Sequence, residues 1–184
     1  MLVLLGKTAS GKDSVMRALC KKCGYKKVVT YTTRPMRKGE VNGKTYHYIL
    51  KEEFLKKVDE GFFFEYKKYK RVYGDWYYGA AKDDLEHDCA AIILTPAGFK
   101  VYLENYNGVI HSVYLDVCNE TIQKRLIKRG DEPAEAKRRL EHDNEILEDY
   151  EDIVEIMKPA RTFDDLLEIQ KKIIKFAFKL MVLI

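Results

Sequence analysis

A glycine-rich loop between an apolar run and a charged one constrains this chain more than any other feature. Met1-Leu2-Val3-Leu4-Leu5 leads directly into Gly6-Lys7-Thr8-Ala9-Ser10-Gly11-Lys12-Asp13-Ser14. GxxxxGK spacing between a strand and a helix is the signature of a phosphate-binding loop. Gly6 and Gly11 permit the backbone angles that turn successive N–H groups inward, and a helix starting near Lys12 adds the partial positive charge of its N-terminus. Lys12 can reach the outer phosphates of a bound polyphosphate and follow charge during a transfer. The residue after such a lysine is usually Ser or Thr, whose hydroxyl binds Mg²⁺; here it is Asp13, with Ser14 next. Two arrangements stay open: the Ser14 hydroxyl takes the ion, or Asp13 helps hold it directly or through water.

Around that loop, strand-like and helix-like runs alternate, which predicts an α/β fold with a mainly parallel sheet. Strands are expected at Leu2–Leu5, Lys27–Tyr31, Ala90–Leu94 and Val109–Leu115. Helices are expected at Lys12–Lys22, Ala97–Asn105, Glu120–Arg129, Ala134–Tyr150 and Asp164–Leu180. Thr32–Tyr78 breaks the rhythm. Its turn signals, Arg37-Lys38-Gly39 and Asn42-Gly43, punctuate runs that read as antiparallel strands at Thr45–Leu50, Phe62–Tyr69 and Val72–Tyr78, around a short helix near Glu52–Val58. With no repeat and no linker, residues 1–184 are expected to form one domain.

Composition narrows the partners. A net charge of +4 is far from the balance of a nucleic-acid binder, so no nucleic-acid partner is expected. The basic and aromatic residues interleaved over Tyr66–Trp76 read instead as an exposed hairpin with charged edges. No apolar run approaches the roughly 18 residues that cross a bilayer, and the opening run is too short for a signal-peptide core. A cytoplasmic chain without membrane contact is the expectation, with Cys20, Cys23, Cys89 and Cys118 as free thiols. Cys20-Lys-Lys-Cys23 has half of a zinc spacing, but no second pair completes it, and the four histidines are scattered.

Two further clusters carry charge. In Thr30-Tyr31-Thr32-Thr33-Arg34-Pro35-Met36-Arg37-Lys38-Gly39-Glu40-Val41-Asn42-Gly43-Lys44-Thr45-Tyr46, two arginines three residues apart can both address one phosphate, and a tyrosine hydroxyl can add a neutral donor. Alone, this run reads equally well as a solvated basic turn. Arg125 and Arg129 share a helix face at i and i+4, and Arg138-Arg139 follows on the next helix.

Taken together, the loop and the TTR-x-x-R-x-GE-x-NG-x-x-Y run resemble the guanylate kinase family, from Leu2 to about Tyr150. The resemblance implies a P-loop NTPase-type parallel sheet flanked by helices. Its core would be 1–31, 80–124 and 141–184, with an antiparallel GMP-binding insertion at 32–79 and a helical lid at about 125–140. It implies transfer of the ATP γ-phosphate, with Mg²⁺, onto GMP or dGMP. Gly6, Thr8, Ala9, Ser10, Gly11, Lys12, Asp13 and Ser14 would surround the ATP phosphates, with Arg125, Arg129 and either Arg138 or Arg139 closing from the lid. The acceptor phosphate would be held by Arg34, Arg37, Tyr46 and Tyr78, with Thr30, Glu65 and Thr95 towards the base. Lys12, Arg34, Arg125, Arg129 and Arg139 would carry the catalysis, and ATP and GMP would be the partners of a monomer or weak homodimer. The chemistry of Glu65 agrees: guanine offers N1–H and the N2 amino group side by side, and one carboxylate accepts from both. Adenine would leave it desolvated and unpaired.

The chain departs from the family pattern in places. Ala80 replaces a serine after the Tyr78-Gly79 element, Thr95 stands where an aspartate is usual, and an adenine-contacting asparagine has no clear match around Ile153–Lys158. Two alternatives therefore stay open: a kinase for another nucleotide or a sugar phosphate, and a non-catalytic protein-binding module that keeps the fold.

Overall fold

The computed structural model describes residues 1–69, 74–85, 87, 89–147 and 156–160. The helix expected at Asp164–Leu180 lies outside these residues, as does the start of the strand expected from Val72. Among the described residues, no helix is long and apolar enough to cross a membrane.

The main sheet is wholly parallel, in the order β2-β7-β1-β8-β9. Its strands are β1 (Leu2–Gly6), β2 (Lys26–Lys27), β7 (Ala90–Ile93), β8 (His111–Val117) and β9 (Ile156–Ala160). β1 is central, with Leu2 paired to Ala91 on one side and to His111 on the other. Its unbroken apolar run has a physical reason: both of its faces are covered. Leu2 and Leu4 point into one core with Val15, Met16, Leu19, Ile122 and Leu126. Val3 and Leu5 point into another with Ile92, Phe99, Tyr102 and Tyr114.

Helix α1 (Lys12–Cys23) runs between two left-handed glycines, Gly11 and Gly24. Helix α3 (Pro96–Asn105) starts on Thr95, whose Oγ1 accepts from Gly98 N–H at 3.2 Å, with Pro96 in the first turn. Helix α4 (Asn119–Arg129) stops at Gly130, also left-handed, and α5 (Pro133–Leu147) follows.

The second sheet corrects the expected antiparallel insertion, because it is mixed. Its order is β4-β3-β6-β5, from β3 (Tyr31–Thr32), β4 (His47–Tyr48), β5 (Phe63–Tyr69) and β6 (Trp76–Ala81). β6 pairs antiparallel with β3 and β5, whereas β3 and β4 run parallel. A closed excursion over residues 33–46 returns the chain in the same direction, and α2 (Lys51–Asp59) then packs Phe54 against Phe63 and Tyr77. The single strand expected at Lys27–Tyr31 is divided between the sheets. Val28 N–H still bonds Ala91 O at 2.8 Å, but Thr30 O already accepts from His47 N–H at 2.9 Å.

The loop after β1 is shaped by three residues with positive φ: Gly6 (140°), Ala9 (53°) and Gly11 (105°). A side chain at Gly6 would place Cβ 2.8 Å from Leu115 O, so glycine is required there. Ala9 has no such freedom; a left-handed L-residue costs about 1–2 kcal/mol, part of which glycine returns as chain entropy. Ala9→Gly is expected to stabilise the fold by about 0.5–1 kcal/mol, read as a rise of roughly 1–4 °C in the thermal midpoint.

Candidate active site

Two cavities open at the C-terminal edge of the main sheet, where strands of an α/β fold deliver ligands. The first, of 310 Å³, is lined by Gly6, Thr8 and Lys12 from the phosphate-binding loop, by Thr30, Tyr46, Glu65, Tyr78 and Thr95, and by Lys67, Tyr69 and Asp143. The second, of 510 Å³, is lined by Thr8, Arg37, Tyr78, Thr95, Arg138, Arg139 and Asp143, with Lys67, Lys68 and His142. Thr8, Lys67, Tyr69, Tyr78, Thr95 and Asp143 line both, so the loop and the second sheet face one continuous cleft.

The loop's cation is folded onto its own backbone. Lys12 Nζ donates to Gly6 O at 2.6 Å and Lys7 O at 2.8 Å. Burial lowers its pKa to about 8, against the opposing fields of Asp143 and Asp13. Ser10 is fully buried, its hydroxyl without a hydrogen-bond partner among the described residues, and the Gly11 carbonyl accepts from Ser14 N–H (2.9 Å) and Val15 N–H (3.1 Å). Asp13 is exposed at the head of α1, while the Ser14 hydroxyl accepts from Arg17 Nη2 at 3.2 Å. The amide of Thr8 donates to Asp143 Oδ2 at 2.5 Å. A carboxylate from α5 thus sits where the loop would receive a phosphate oxygen.

Arg34, Arg125, Arg129, Arg138 and Arg139 are likewise engaged by carboxylates or carbonyls. Arg34 is 5% exposed and grips Glu40 through both terminal nitrogens, at 2.7 and 2.5 Å. Glu40 accepts as well from Arg37 N–H and Tyr48 Oη, each at 2.7 Å, and the Arg34 bonds above all hold its carboxyl down at about 2. Tyr46 and Tyr48 cover the guanidinium, with ring centres 5.0 and 5.4 Å from Arg34 Cζ. Burial pushes the Tyr46 hydroxyl up to about 12, so it remains a donor at neutral pH. Arg125 donates to Ala9 O (3.0 Å) and Ser10 O (3.2 Å), bracing the outer side of the loop. Arg129 forks onto Asp131, and Arg138 and Arg139 share Glu135 at 2.7–2.9 Å. The structure brings Arg37, Arg138 and Arg139 to the lining of the second cavity, whereas Arg34, Arg125 and Arg129 line neither of these two cavities.

Glu65 is held on β5 beside the start of α3, where a Cβ on Gly98 would lie 3.7 Å from its Oε2. Burial raises its pKa to about 7, and Lys67 opposes that rise. Sequence reasoning missed Lys67, although the two-residue period of a strand places it on the same face as Glu65. Asp143 carried no readable signal, being 135 residues from its partner Thr8.

Comparison with known proteins agrees with this geometry. A protein-family model described as guanylate kinase matches residues 1–175. Among curated proteins, the chain is similar to the guanylate kinase of Wolinella succinogenes, 35% identical over 73% of this chain and 64% of that protein. It is also similar to that of Syntrophus aciditrophicus, 32% identical over 76% of this chain and 69% of that protein. The chain thus spans about two thirds of the length of the curated relatives it matches. Among solved structures, a guanylate kinase from Anaplasma phagocytophilum shares the fold, with a TM-score of 0.62 and 20% identity over 96% of this chain and 83% of that one. A gluconokinase from Sinorhizobium meliloti shares it less closely, at 0.51 and 18% over 97% and 91%. A phosphate-binding loop facing a carboxylate-bearing second sheet, together with a family model matching 1–175, shows that this chain belongs to the guanylate kinase family.

Proposed function

We propose that this chain transfers the γ-phosphate of ATP onto GMP, and onto dGMP as a close analogue. The observation that carries the reading is the joint lining of one cleft by Gly6, Thr8 and Lys12 on one side and Thr30, Tyr46, Glu65 and Tyr78 on the other. A polyphosphate on the loop then points towards a purine monophosphate whose base reaches Glu65.

The reaction needs no general base, because the acceptor phosphate is already an anionic nucleophile. Its oxygen forms a bond to Pγ while the bridge between Pγ and the β-phosphate breaks, and ADP leaves with the bridging oxygen. The protein's part is to hold the two anions in line, exclude water and neutralise charge. Lys12 is the loop cation poised for the outer phosphates once it releases Gly6 O and Lys7 O. Arg37, Arg138 and Arg139 face the space between the substrates. Arg34 acts from beneath, fixing Tyr46 and the Arg37 amide through Glu40. Arg125 and Arg129 position the loop and the α4–α5 turn. Thr30, Tyr78 and Thr95 complete the acceptor wall. Mg²⁺ carried with ATP would neutralise β- and γ-oxygens. Ser14 and Asp13 are hard oxygen donors at the head of α1 that fit such an ion. The cleft is built within one chain, which suits a monomer or weak homodimer, and a cytoplasmic setting supplies both nucleotides.

A coupled assay with ATP and GMP, AMP, UMP or CMP tests the reading. Turnover with GMP foremost is expected, and no turnover with any of them, from folded protein, would point to the binding-module alternative. Lys12→Ala is expected to lower kcat by at least about a hundredfold while leaving the circular dichroism spectrum and melting behaviour intact.

The perturbed groups set the pH dependence. Guanine donates to the carboxylate form of Glu65, so kcat/KM for GMP is expected to fall towards about tenfold per pH unit below about 7. Glu65→Gln should flatten that limb and raise KM for GMP at least about tenfold, with little change in KM for ATP. On the alkaline side Lys12 loses its proton near 8, so kcat/KM for ATP should decline above that pH.

A further inference from the structure

Lys67 has no role in the mechanism above, yet it stands beside the group that reads the base. Along β5, Glu65, Lys67 and Tyr69 all line the cleft, as the two-residue period of a strand requires. Among the described residues, the Lys67 ammonium makes no hydrogen bond or ion pair, and it lies 5.6 Å from the Tyr69 ring centre. It is also the charge that most opposes the effect of burial on Glu65, which places its field at the carboxylate.

A carboxylate can only accept and an ammonium can only donate. The hydrogen-bonding edge of guanine reads N2 amino donor, N1–H donor, O6 acceptor, in that order. Glu65 satisfies the first two and leaves O6 in need of a donor. The Thr30 and Thr95 hydroxyls line the same cavity and can also donate, Thr95 while accepting from Gly98 N–H, but neither brings the full positive charge of Lys67.

We propose that Lys67 is a specificity-determining residue that donates to O6 of the guanine ring while Glu65 accepts from N1–H and the N2 amino group. The inference rests on GMP being the acceptor. It makes rejection of adenine twofold, since the 6-amino group would face an ammonium just as N1 would face a carboxylate.

The test compares GMP with 6-thio-GMP, which keeps both donors and replaces O6 by sulfur, a weak acceptor. Wild-type protein should prefer GMP by about tenfold or more in kcat/KM. Lys67→Met should lower kcat/KM for GMP by about ten- to a hundredfold, chiefly through KM, with KM for ATP unchanged. The preference for GMP over 6-thio-GMP should shrink to within about threefold, and Lys67→Arg should restore most of it. A melting curve like wild type's shows that Lys67→Met folds. Equal losses with both acceptors would place the ammonium on a phosphate and overturn the inference, as would a Lys67→Met protein indistinguishable from wild type. Wild-type protein that phosphorylates no nucleoside monophosphate removes the acceptor assignment itself. Normal wild-type turnover with an indifferent Lys67→Met removes only the role of Lys67.

Discussion

No side chain fits at Gly6, and the site is organised around that fact. With φ at 140° and a would-be Cβ within 2.8 Å of Leu115 O and 2.9 Å of Ser10 Oγ, the end of β1 lies directly on the backbone of β8. That contact fixes where the loop begins. Because Leu2 and Leu4 enter one core and Val3 and Leu5 the other, β1 is gripped from both faces and cannot shift to relieve it. Arg125 then braces the loop from outside through Ala9 O and Ser10 O. Loop, strand and helix α4 form one unit that shares a cleft with the second sheet.

Charge is handled by a consistent device. A cleft proposed to receive two anionic substrates must gather cations, and gathered cations repel one another. Here Arg34 is matched by Glu40, Arg129 by Asp131, and Arg138 and Arg139 by Glu135, while the neutral Thr8 amide donates to Asp143. The exposed members of this set contribute little to stability. The Arg34–Glu40 pair is different, because its side chains are only 4% and 17% exposed and its geometry is that of a two-pronged fork. It fixes the closed excursion between β3 and β4, from which Arg37 and Tyr46 project.

Local features were legible in the sequence. The loop and the apolar strands β1, β7 and β8 each declare themselves within a few residues. Helix α5 begins at Pro133 and strand β8 at His111, close to where propensity placed them. What was not legible depends on distant partners. The parallel pairing of β3 with β4 requires the return of residues 33–46, which the turn signals alone suggested would be antiparallel. The division of the Lys27–Tyr31 run between two sheets depends on whether Ala91 or His47 is the neighbour. Arg34, Arg37 and Tyr46 were read as site candidates from a long motif, and Glu65 and Tyr78 from the family resemblance, whereas Asp143 belongs to neither and meets Thr8 only in the folded chain.

The carboxylate of Asp143 on the Thr8 amide also shapes how an anion arrives. So do the arginine pairs: viewed from beyond about 10 Å, a guanidinium and its carboxylate, as in Arg34–Glu40 or Arg138–Glu135, form a dipole whose potential dies quickly, the more so in physiological salt. Each such pair therefore projects much less attraction than its arginine alone would. Only a ligand small enough to enter can exchange partners with the internal carboxylates one by one, and discrimination begins at contact, not at a distance.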